Sequence, residues 1–206
     1  MGRFTIKKRD TFIDMTPMSD VMVLLLTFFM LTATFVKKEP VEVNAPGSVS
    51  SINVPDNNVI TILIDKQGRV FMTLDKKGDL YGVIDEINAR FNLNLSQEQR
   101  SAFAGASSFG VPISQLKSWL SMEPAQREAY LSSADIKGVP CDSTNNEFKV
   151  WIETAKEINP DLKISIKSDE TTSYKVIKNV MNSLQDIKQN RYNLITNLKK
   201  VQAIDE

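Results

Sequence analysis

The chain has 206 residues, with 25 basic and 25 acidic side chains, no histidine and one cysteine. The balanced charge gives no basic excess for nucleic acid, the lack of histidine removes the commonest metal ligand and general base, and one cysteine allows neither an intrachain disulfide nor a zinc cluster. We therefore expect one membrane span and one domain of ordinary size, with no metal, no cofactor and no nucleic-acid partner.

The N-terminal segment joins a short basic tail to an uncharged apolar run at residues 21–36. Extended back to Pro17, this run has about 20 residues, and at ~1.5 Å per residue it spans ~30 Å, the thickness of one hydrocarbon core. The sequence therefore predicts a cytoplasmic tail over residues 1–15 and a single transmembrane helix over residues 16–36.

Asp20 is the one carboxylate within this predicted helix. If Thr16 caps the helix and Pro17 is its first helical residue, Asp20 lies in the first turn. The helix N-terminus favours the charged carboxylate, whereas burial in hydrocarbon favours the neutral acid. Because an ionisable group in a membrane span marks a functional site by default, our hypothesis is that Asp20 loads and releases a proton.

Three threonines are predicted to share the helix face of Asp20. At about 100° per residue, Thr16, Thr27 and Thr34 fall within about 40° of Asp20, and the opposite side is apolar. With no second hydrophobic span in the sequence, this polar stripe predicts membrane partners or self-association. In the alternative interpretation, Asp20 is an ordinary helix-end residue and the threonines bond back to their own backbone.

The flanking charges predict the orientation of the span. Four basic residues precede it and two follow it, namely Arg3, Lys7, Lys8, Arg9, Lys37 and Lys38. The positive-inside rule then places the N-terminus in the cytoplasm and the domain in the periplasm of a diderm cell. The apolar run is longer than a signal-peptide core and no Ala-x-Ala site follows it closely, so we expect an uncleaved inner-membrane anchor.

Residues 37–57 are predicted to form a flexible linker, because Pro40, Pro46 and Pro55 break regular structure and serines and a glycine lie between them. Within the linker, residues 41–46 alternate between apolar and polar side chains. This alternation predicts an extended segment that can add to the edge of a sheet. A plain spacer is the alternative.

Residues 58–206 are predicted to form a two-layer α+β domain. Its predicted order is a strand at 59–64, a turn, a strand at 69–74, a helical region over about 76–145, a helix at 148–158, a strand at 162–167, a helix at 174–184 and a final short strand around Tyr192, Leu194 and Leu198. The strand at 162–167 alternates strictly, which predicts one wet face.

The helices of this domain are predicted from apolar spacing and from caps. The predicted buried faces consist of Leu80, Val83, Ile84, Ile87 and Phe91 in one helix, Ile113, Leu116, Trp119 and Leu120 in another, Phe148, Trp151, Ile152, Ala155 and Ile158 in a third, and Tyr174, Ile177, Met181 and Leu184 in the last. Ser96 to Gln99 is predicted to be a capping box, residues 103–112 a loop, and Pro124 the start of a helix to Leu131. The region 76–145 has no chemical constellation, so we expect it to serve packing or partner docking.

The pattern Thr16-Pro17-x-x-Asp20, followed by the apolar run at 21–30, resembles the ExbD/TolR family of proton-driven energy-transducing membrane proteins. In that family the residue matching Asp20 is the proton-responsive one. Asp14 stands where many members have Asn, which makes it a candidate second acid at the entrance, and Ser19 stands where an apolar residue is common. Residues 76–145 have no counterpart in the shorter members.

The resemblance implies a mechanism. Two such helices would lie inside a ring of ExbB-like polytopic partners, with a second copy or a paralogue supplying the second helix. Protons passing through would switch Asp20 between charged and neutral forms, and the motion would reach a TonB-like protein that opens outer-membrane transporters. The linker element associated with partner contact matches Val41, Val43, Ala45 and Pro46, with Ala45 in place of the usual Leu.

Three other functions are alternatives to this mechanism. A TolR-like subunit for envelope integrity is a close relative, and a periplasmic binding module on a passive anchor would leave Asp20 without a role. An enzyme is not expected, because the sequence has no nucleophile–base pair at a recognisable spacing. The acids at predicted strand ends, Asp65, Asp169 and Glu170, are expected to be solvated turn residues.

Overall fold

The structure is a computed structural model that describes residues 15–33, 41, 43–48, 57–133, 136–142 and 145–198. The chain divides into two compact units, residues 1–37 and residues 38–206. Over the described residues it is an α+β protein with a mixed sheet and seven helices. The predicted fold class is therefore confirmed at this level.

The first unit contains helix α1 (Thr16–Thr32). The prediction that Thr16 caps this helix is wrong, because Met15 already has helical backbone angles (φ −88°, ψ −1°) and is itself the N-cap residue. The backbone N–H of Ser19 donates to the Met15 carbonyl oxygen at 3.1 Å. Pro17 is tolerated as the second helical residue, since the first four N–H groups of a helix have no intrahelical partner.

Helix α1 has 17 residues and no buried side chain. It ends at Thr32, because Ala33 has an extended backbone (φ −67°, ψ 99°), whereas the prediction continued to Val36. Over the part of the chain that the structure describes, no helix has both the length and the apolar character needed to cross a membrane.

The second unit holds the other elements. In chain order they are β1 (Gly47–Ser48), β2 (Val59–Ile64), β3 (Val70–Leu74), α2 (Lys77–Phe91), α3 (Gln97–Gly105), α4 (Ile113–Leu120), α5 (Pro124–Ser132), α6 (Glu147–Ile158), β4 (Lys163–Ser168), α7 (Tyr174–Asp186), β5 (Tyr192–Leu194) and β6 (Asn197–Leu198). The predicted hairpin and the later helix–strand–helix order are confirmed.

The main sheet has the strand order β3-β2-β4-β5, and β1 pairs with β6 in a separate two-stranded sheet. Strand β2 is antiparallel to β3 and parallel to β4, so Ile62 lies opposite Met72 on one side and Ile166 on the other. The predicted single final strand is wrong. The Ile195 N–H donates to the Ile166 carbonyl oxygen at 2.8 Å, and the chain then leaves β4 to pair with β1.

The prediction that one face of β4 is exposed to solvent is also wrong for the middle of the strand. Lys163 is exposed, but Ser165 is completely buried and Lys167 is half-buried. Strand β4 lies between β2 and β5, and the central strands of a sheet with parallel pairing are usually covered on both faces. The small serine side chain is therefore enclosed although its neighbours alternate in polarity.

The predicted apolar faces are confirmed in the middle of the helices, but the prediction is wrong for three residues at helix ends. Phe91, Ile158 and Tyr174 were predicted to be buried, but they are 41%, 39% and 72% exposed. Each is the first or last residue of its helix. In α7 the buried residues are Val180, Ser183 and Leu184, so its buried face lies closer to its C-terminal end than predicted.

The stretch predicted as a loop at residues 103–112 belongs to the core. Phe103 and Ala104 are buried residues of α3, and Phe109 and Val111 are buried after it. The Phe103 and Phe109 rings lie 5.8 and 4.8 Å from the Trp151 ring, measured between centroids. The loop prediction is therefore wrong for residues 103–105, which end α3, and confirmed for residues 106–112, where Phe109 packs against α6.

The helical region 76–145 also closes one edge of the main sheet. Met72 and Phe109 exchange two backbone hydrogen bonds of 2.7 and 2.9 Å, and the Val139 N–H donates to the Val70 carbonyl oxygen at 2.9 Å. Gly138 has φ +73°, and a Cβ there would lie 2.7 Å from the Val70 backbone nitrogen. Strand β3 is thus covered by this region, and only glycine fits where the two backbones approach.

Candidate functional site

Asp20 is the only charged residue of α1. The first turn of α1 contains no acidic residue, so the prediction that Asp20 lies there is wrong. The physical reason is that the helix begins at Thr16, one residue earlier than predicted. Asp20 is exposed on a helix whose other side chains are apolar or hydroxyl-bearing, so its carboxylate has no charged neighbour within α1.

Two of the three predicted stripe threonines can be followed in the structure. Thr16 and Thr27 belong to α1, while Thr34 and the candidate entrance acid Asp14 lie outside the described residues. The Thr27 hydroxyl donates to the Leu24 carbonyl oxygen at 2.9 Å. Thr27 lies seven positions after Asp20, a rise of ~10 Å, so its hydroxyl is spaced well away from the Asp20 carboxylate along the helix.

Part of the predicted linker lies on the second unit. The Val43 and Ala45 side chains are buried, and Pro46 is half-buried. Val41 packs against the hydrophobic core. The predicted alternation is therefore present, since Asn44 is exposed between the two buried side chains. Whether these residues also contact a partner stays a prediction.

Asp169 fixes this segment to the turn after β4. The Asn44 N–H donates to Asp169 Oδ2 at 3.0 Å, and the Glu170 N–H donates to the Asn44 carbonyl oxygen at 2.9 Å. The hydroxyl and N–H of Thr171 donate to Asp169 Oδ1 at 2.6 and 3.0 Å. The hydroxyl bond from Thr171 is the largest cause that lowers the pKa of Asp169, backbone N–H groups and Lys66 add to it, and burial opposes it.

Asp65 has a similar position at the end of β2 but different partners. Its Oδ2 accepts from Arg69 Nε at 2.6 Å, and its Oδ1 accepts from the backbone N–H groups of Gln67 and Arg69 at 2.9 and 2.8 Å. Arg69 Nη1 in turn donates to the Ser133 carbonyl oxygen beyond α5. Asp65 therefore closes the hairpin and ties it to the helical region.

The prediction that the strand-end acids are solvated is wrong for two of the three. Asp65 and Asp169 are 2% and 3% exposed, and only Glu170 is exposed. The hydrogen bonds of Asp65 and Asp169 satisfy charged carboxylates, which suits structural ties and not acid–base catalysis. The missed signal was the placement of each Asp directly after a strand with apolar residues.

Other chemical groups are sparse over the described residues. No three acidic or cysteine side chains among them lie close enough together to hold a metal ion. Cys141 is a half-buried free thiol whose pKa is raised by burial and by the nearby Asp142 carboxylate. A thiol with a raised pKa is a weak nucleophile at neutral pH.

The comparisons with known proteins cover both units. The family model described as biopolymer transport protein ExbD/TolR matches residues 7–199. The chain is 31% identical over 81 residues to biopolymer transport protein exbD2 of Vibrio cholerae serotype O1, which is 39% of this chain and 52% of that protein. It is 30% identical over 66 residues to biopolymer transport protein ExbD of Aquifex aeolicus, which is 32% of this chain and 50% of that protein.

The chain thus spans about half the length of the curated relatives that it matches. No solved structure matches it. The family match, however, runs from the basic tail through α1 and the domain to the end of β6. The chain belongs to the ExbD/TolR family of biopolymer transport proteins.

Proposed function

We propose that this chain is the proton-responsive subunit of an inner-membrane complex that uses the proton motive force to energise transport across the outer membrane. In this proposal α1 and its flanking residues anchor the chain in the inner membrane, with the N-terminus in the cytoplasm and the domain in the periplasm. The partners are an ExbB-like polytopic ring, a TonB-like protein and a second copy of the chain or a paralogue.

The observation that supports this proposal most is the single carboxylate of α1. Asp20 is the only charged residue among the 17 of this helix, in a chain of the ExbD/TolR family. Polar surroundings favour the charged carboxylate and apolar surroundings favour the neutral acid, so in this proposal gain and loss of a proton on Asp20 change which orientation of α1 is favoured. Thr16 and Thr27 on the same face supply hydroxyl oxygens along this path.

The segment at residues 41–46 is the proposed link between helix and domain. The backbone of Asn44 in this segment is bonded to Asp169 and to Glu170 of the domain. We propose that movement of the anchor is transmitted to the domain through this contact. Val41, Val43, Ala45 and Pro46 are the residues proposed to meet the energised partner when this contact opens.

The test compares Asp20→Asn with two controls in the native host at equal membrane abundance. Asp20→Asn keeps the size of the side chain but cannot change its charge, so we expect energised nutrient uptake to fall to the level of a deletion strain. Asp20→Glu keeps a titratable carboxylate and should retain measurable uptake. Ser19→Asn adds the same amide one residue away and should leave uptake near the unaltered level.

The outcomes separate the competing functions. If uptake by the Asp20→Asn strain is unchanged while the complex still assembles, the proposed proton-responsive role is wrong, and the chain is a binding module on a passive anchor. The name of the matched family includes TolR, so leakage of periplasmic proteins is measured in parallel. If Asp20→Asn causes leakage and leaves uptake intact, the chain serves envelope integrity instead of transport.

A further inference from the structure

The helical region contains a cavity that the proposed motor function does not use. It has a volume of about 140 Å³ and lies between the segment after α3 and one side of α5. Its lining includes Ser107, Trp119, Arg127, Glu128 and Leu131. Its size is close to that of a cavity of about 150 Å³ that holds benzene, so it has room for about six non-hydrogen atoms.

Arg127 is the unusual residue of this lining. Arg127 is only 8% exposed, and its Nη1 donates to the Ala102 carbonyl oxygen. Its Nε has no hydrogen-bond partner among the described residues. It also makes no salt bridge with any carboxylate that the structure describes. A buried guanidinium usually has both, because an unpaired buried charge costs free energy.

The surroundings of Arg127 hold it in place without neutralising it. Its guanidinium carbon lies 5.8 Å from the centroid of the Trp119 ring, and the Trp119 indole N–H donates to the Arg127 carbonyl oxygen at 3.4 Å. Burial lowers the pKa of Arg127, and the Glu128 carboxylate partly opposes this. A guanidinium nevertheless remains protonated in proteins, so the positive charge persists at the cavity wall.

We propose that this cavity binds a ligand that has one carboxylate next to a small apolar group. The planar fork of a guanidinium matches the two oxygens of a carboxylate, and the terminal nitrogens of Arg127 keep N–H donors beyond the one that is bonded to the Ala102 carbonyl oxygen. Trp119, Pro124 and Leu131 provide apolar walls for the rest of the ligand. The exposed Glu128 at the same cavity repels a second negative charge, which favours a monocarboxylate over a phosphate dianion.

The carboxylate can come from a free small acid or from the end of a peptide chain. Either source presents the same group to Arg127, and the cavity admits only the last few atoms of a peptide. This inference does not depend on Asp20, because the cavity lies wholly within the second unit. Failure of one proposal would therefore leave the other standing.

The test is a titration of the full chain in detergent, followed through its two tryptophan indole N–H resonances. Trp119 lines the cavity, whereas Trp151 is buried in the aromatic cluster and serves as an internal reference. We expect propionate to shift the Trp119 resonance in a saturable way, with a Kd in the range of about 1 mM for so small a ligand, and to leave Trp151 unmoved. Propionamide and inorganic phosphate are titrated in the same way.

Three variants test the contact. Arg127→Met removes the charge, and Ser107→Leu fills the cavity while keeping Arg127. Each variant should weaken propionate binding about tenfold or more. Arg127→Met loses the hydrogen-bonded charge pair with the ligand, and Ser107→Leu loses the volume that the ligand occupies. Arg100→Met removes an arginine of α3 that is paired with Asp85 at 3.2 Å outside the cavity, and it should bind like the unaltered chain.

The outcomes are decisive in both directions. Tighter binding of N-acetyl-alanyl-alanine than of propionate identifies a chain end as the source, and weaker binding identifies a free acid. The proposal is overturned if no saturable shift of Trp119 occurs, if propionamide or phosphate binds as tightly as propionate, or if Ser107→Leu binds unchanged. The comparison of the three ligands and the comparison of Ser107→Leu with the unaltered chain do not depend on whether Arg127→Met folds.

Discussion

Helices α1 and α6 are both rich in apolar residues, yet they differ in how many side chains they bury. Helix α1 has no buried side chain, whereas α6 buries five, namely Phe148, Trp151, Ile152, Thr154 and Ala155. The apolar residues of α6 lie on one face, while those of α1 surround the helix except near Asp20. The distribution of apolar side chains around the helix axis, and not their number alone, therefore distinguishes a helix that buries one face from a helix that buries none.

The difference has a thermodynamic consequence. The stability of α6 comes from its own domain, because Trp151 packs in one aromatic cluster with Phe103 and Phe109 in the core. Most of the stability of a helix in a protein comes from packing of one of its faces, and α1 buries no side chain, so the stability of α1 depends on what surrounds it. In the function proposed here, those surroundings are lipid and membrane partners.

The largest expected effect comes from truncating one aromatic residue in each helix. Trp151→Ala should lower the free energy of unfolding of the domain by about 3–5 kcal/mol, because it removes a fully buried ring and leaves a cavity. Phe28→Ala in α1 removes a ring that is 56% exposed and should leave that free energy unchanged. Urea unfolding of the full chain, followed by far-ultraviolet circular dichroism, measures both. Equal losses would contradict the comparison.

Alanine substitutions of two glycines, one enclosed and one with open space around it, test how closely the backbone of the second unit is packed. Gly138→Ala should destabilise the domain by about 2 kcal/mol or more, since φ is +73° and the new Cβ would lie 2.7 Å from the Val70 nitrogen. Gly78→Ala is the matched control, because a Cβ there meets nothing within 4 Å and Gly78 belongs to α2, where alanine is the better helix former. It should stabilise the domain by less than about 1 kcal/mol. The melting temperatures of the two variants should therefore shift in opposite directions.

The smallest expected effect concerns the segment at residues 41–48 of the second unit. Asp169→Asn should speed hydrogen exchange at the Asn44 amide, because a charged acceptor is replaced by a weaker neutral one. The folded-state pKa of Asp169 is lowered, so its contribution is complete above the unfolded-state pKa of about 3.9 and is lost as the pH falls through the lower folded-state value.

Hydrogen exchange of residues 41–48, corrected for intrinsic rates, checks this prediction. The unaltered chain and Asp169→Asn should differ by a constant factor between about pH 5 and pH 8, and the difference should shrink below about pH 4. Lys66→Gln, which removes a minor charge contribution to the pKa of Asp169, should have a smaller effect than Asp169→Asn. A difference that persists unchanged at low pH would mean that the charge of Asp169 does not hold the segment.

The placement of the candidate site residues on one helix could be predicted from the sequence because it is local, whereas their role stays a proposal. Asp20, Thr16 and Thr27 share a face through helical periodicity alone, and no tertiary contact is needed to bring them together. The helix start was missed by one residue, since Pro17 fits either of the first two helical positions. The cavity beside Arg127 was not predictable, because Ser107, Trp119 and Arg127 come from three separate elements.

Local sequence patterns were enough to predict the α+β order, the hairpin of β2 and β3, and the capping box, in which Ser96 Oγ accepts from the Gln99 N–H at 3.2 Å. These features depend on turn residues, caps and periodicity within a few positions. The tertiary structure alone decided that Ser165 is buried and that Asp169 bonds to Asn44, a residue 125 positions away. Local patterns cannot specify such contacts, because they exist only after distant segments have packed and excluded water from the groups between them.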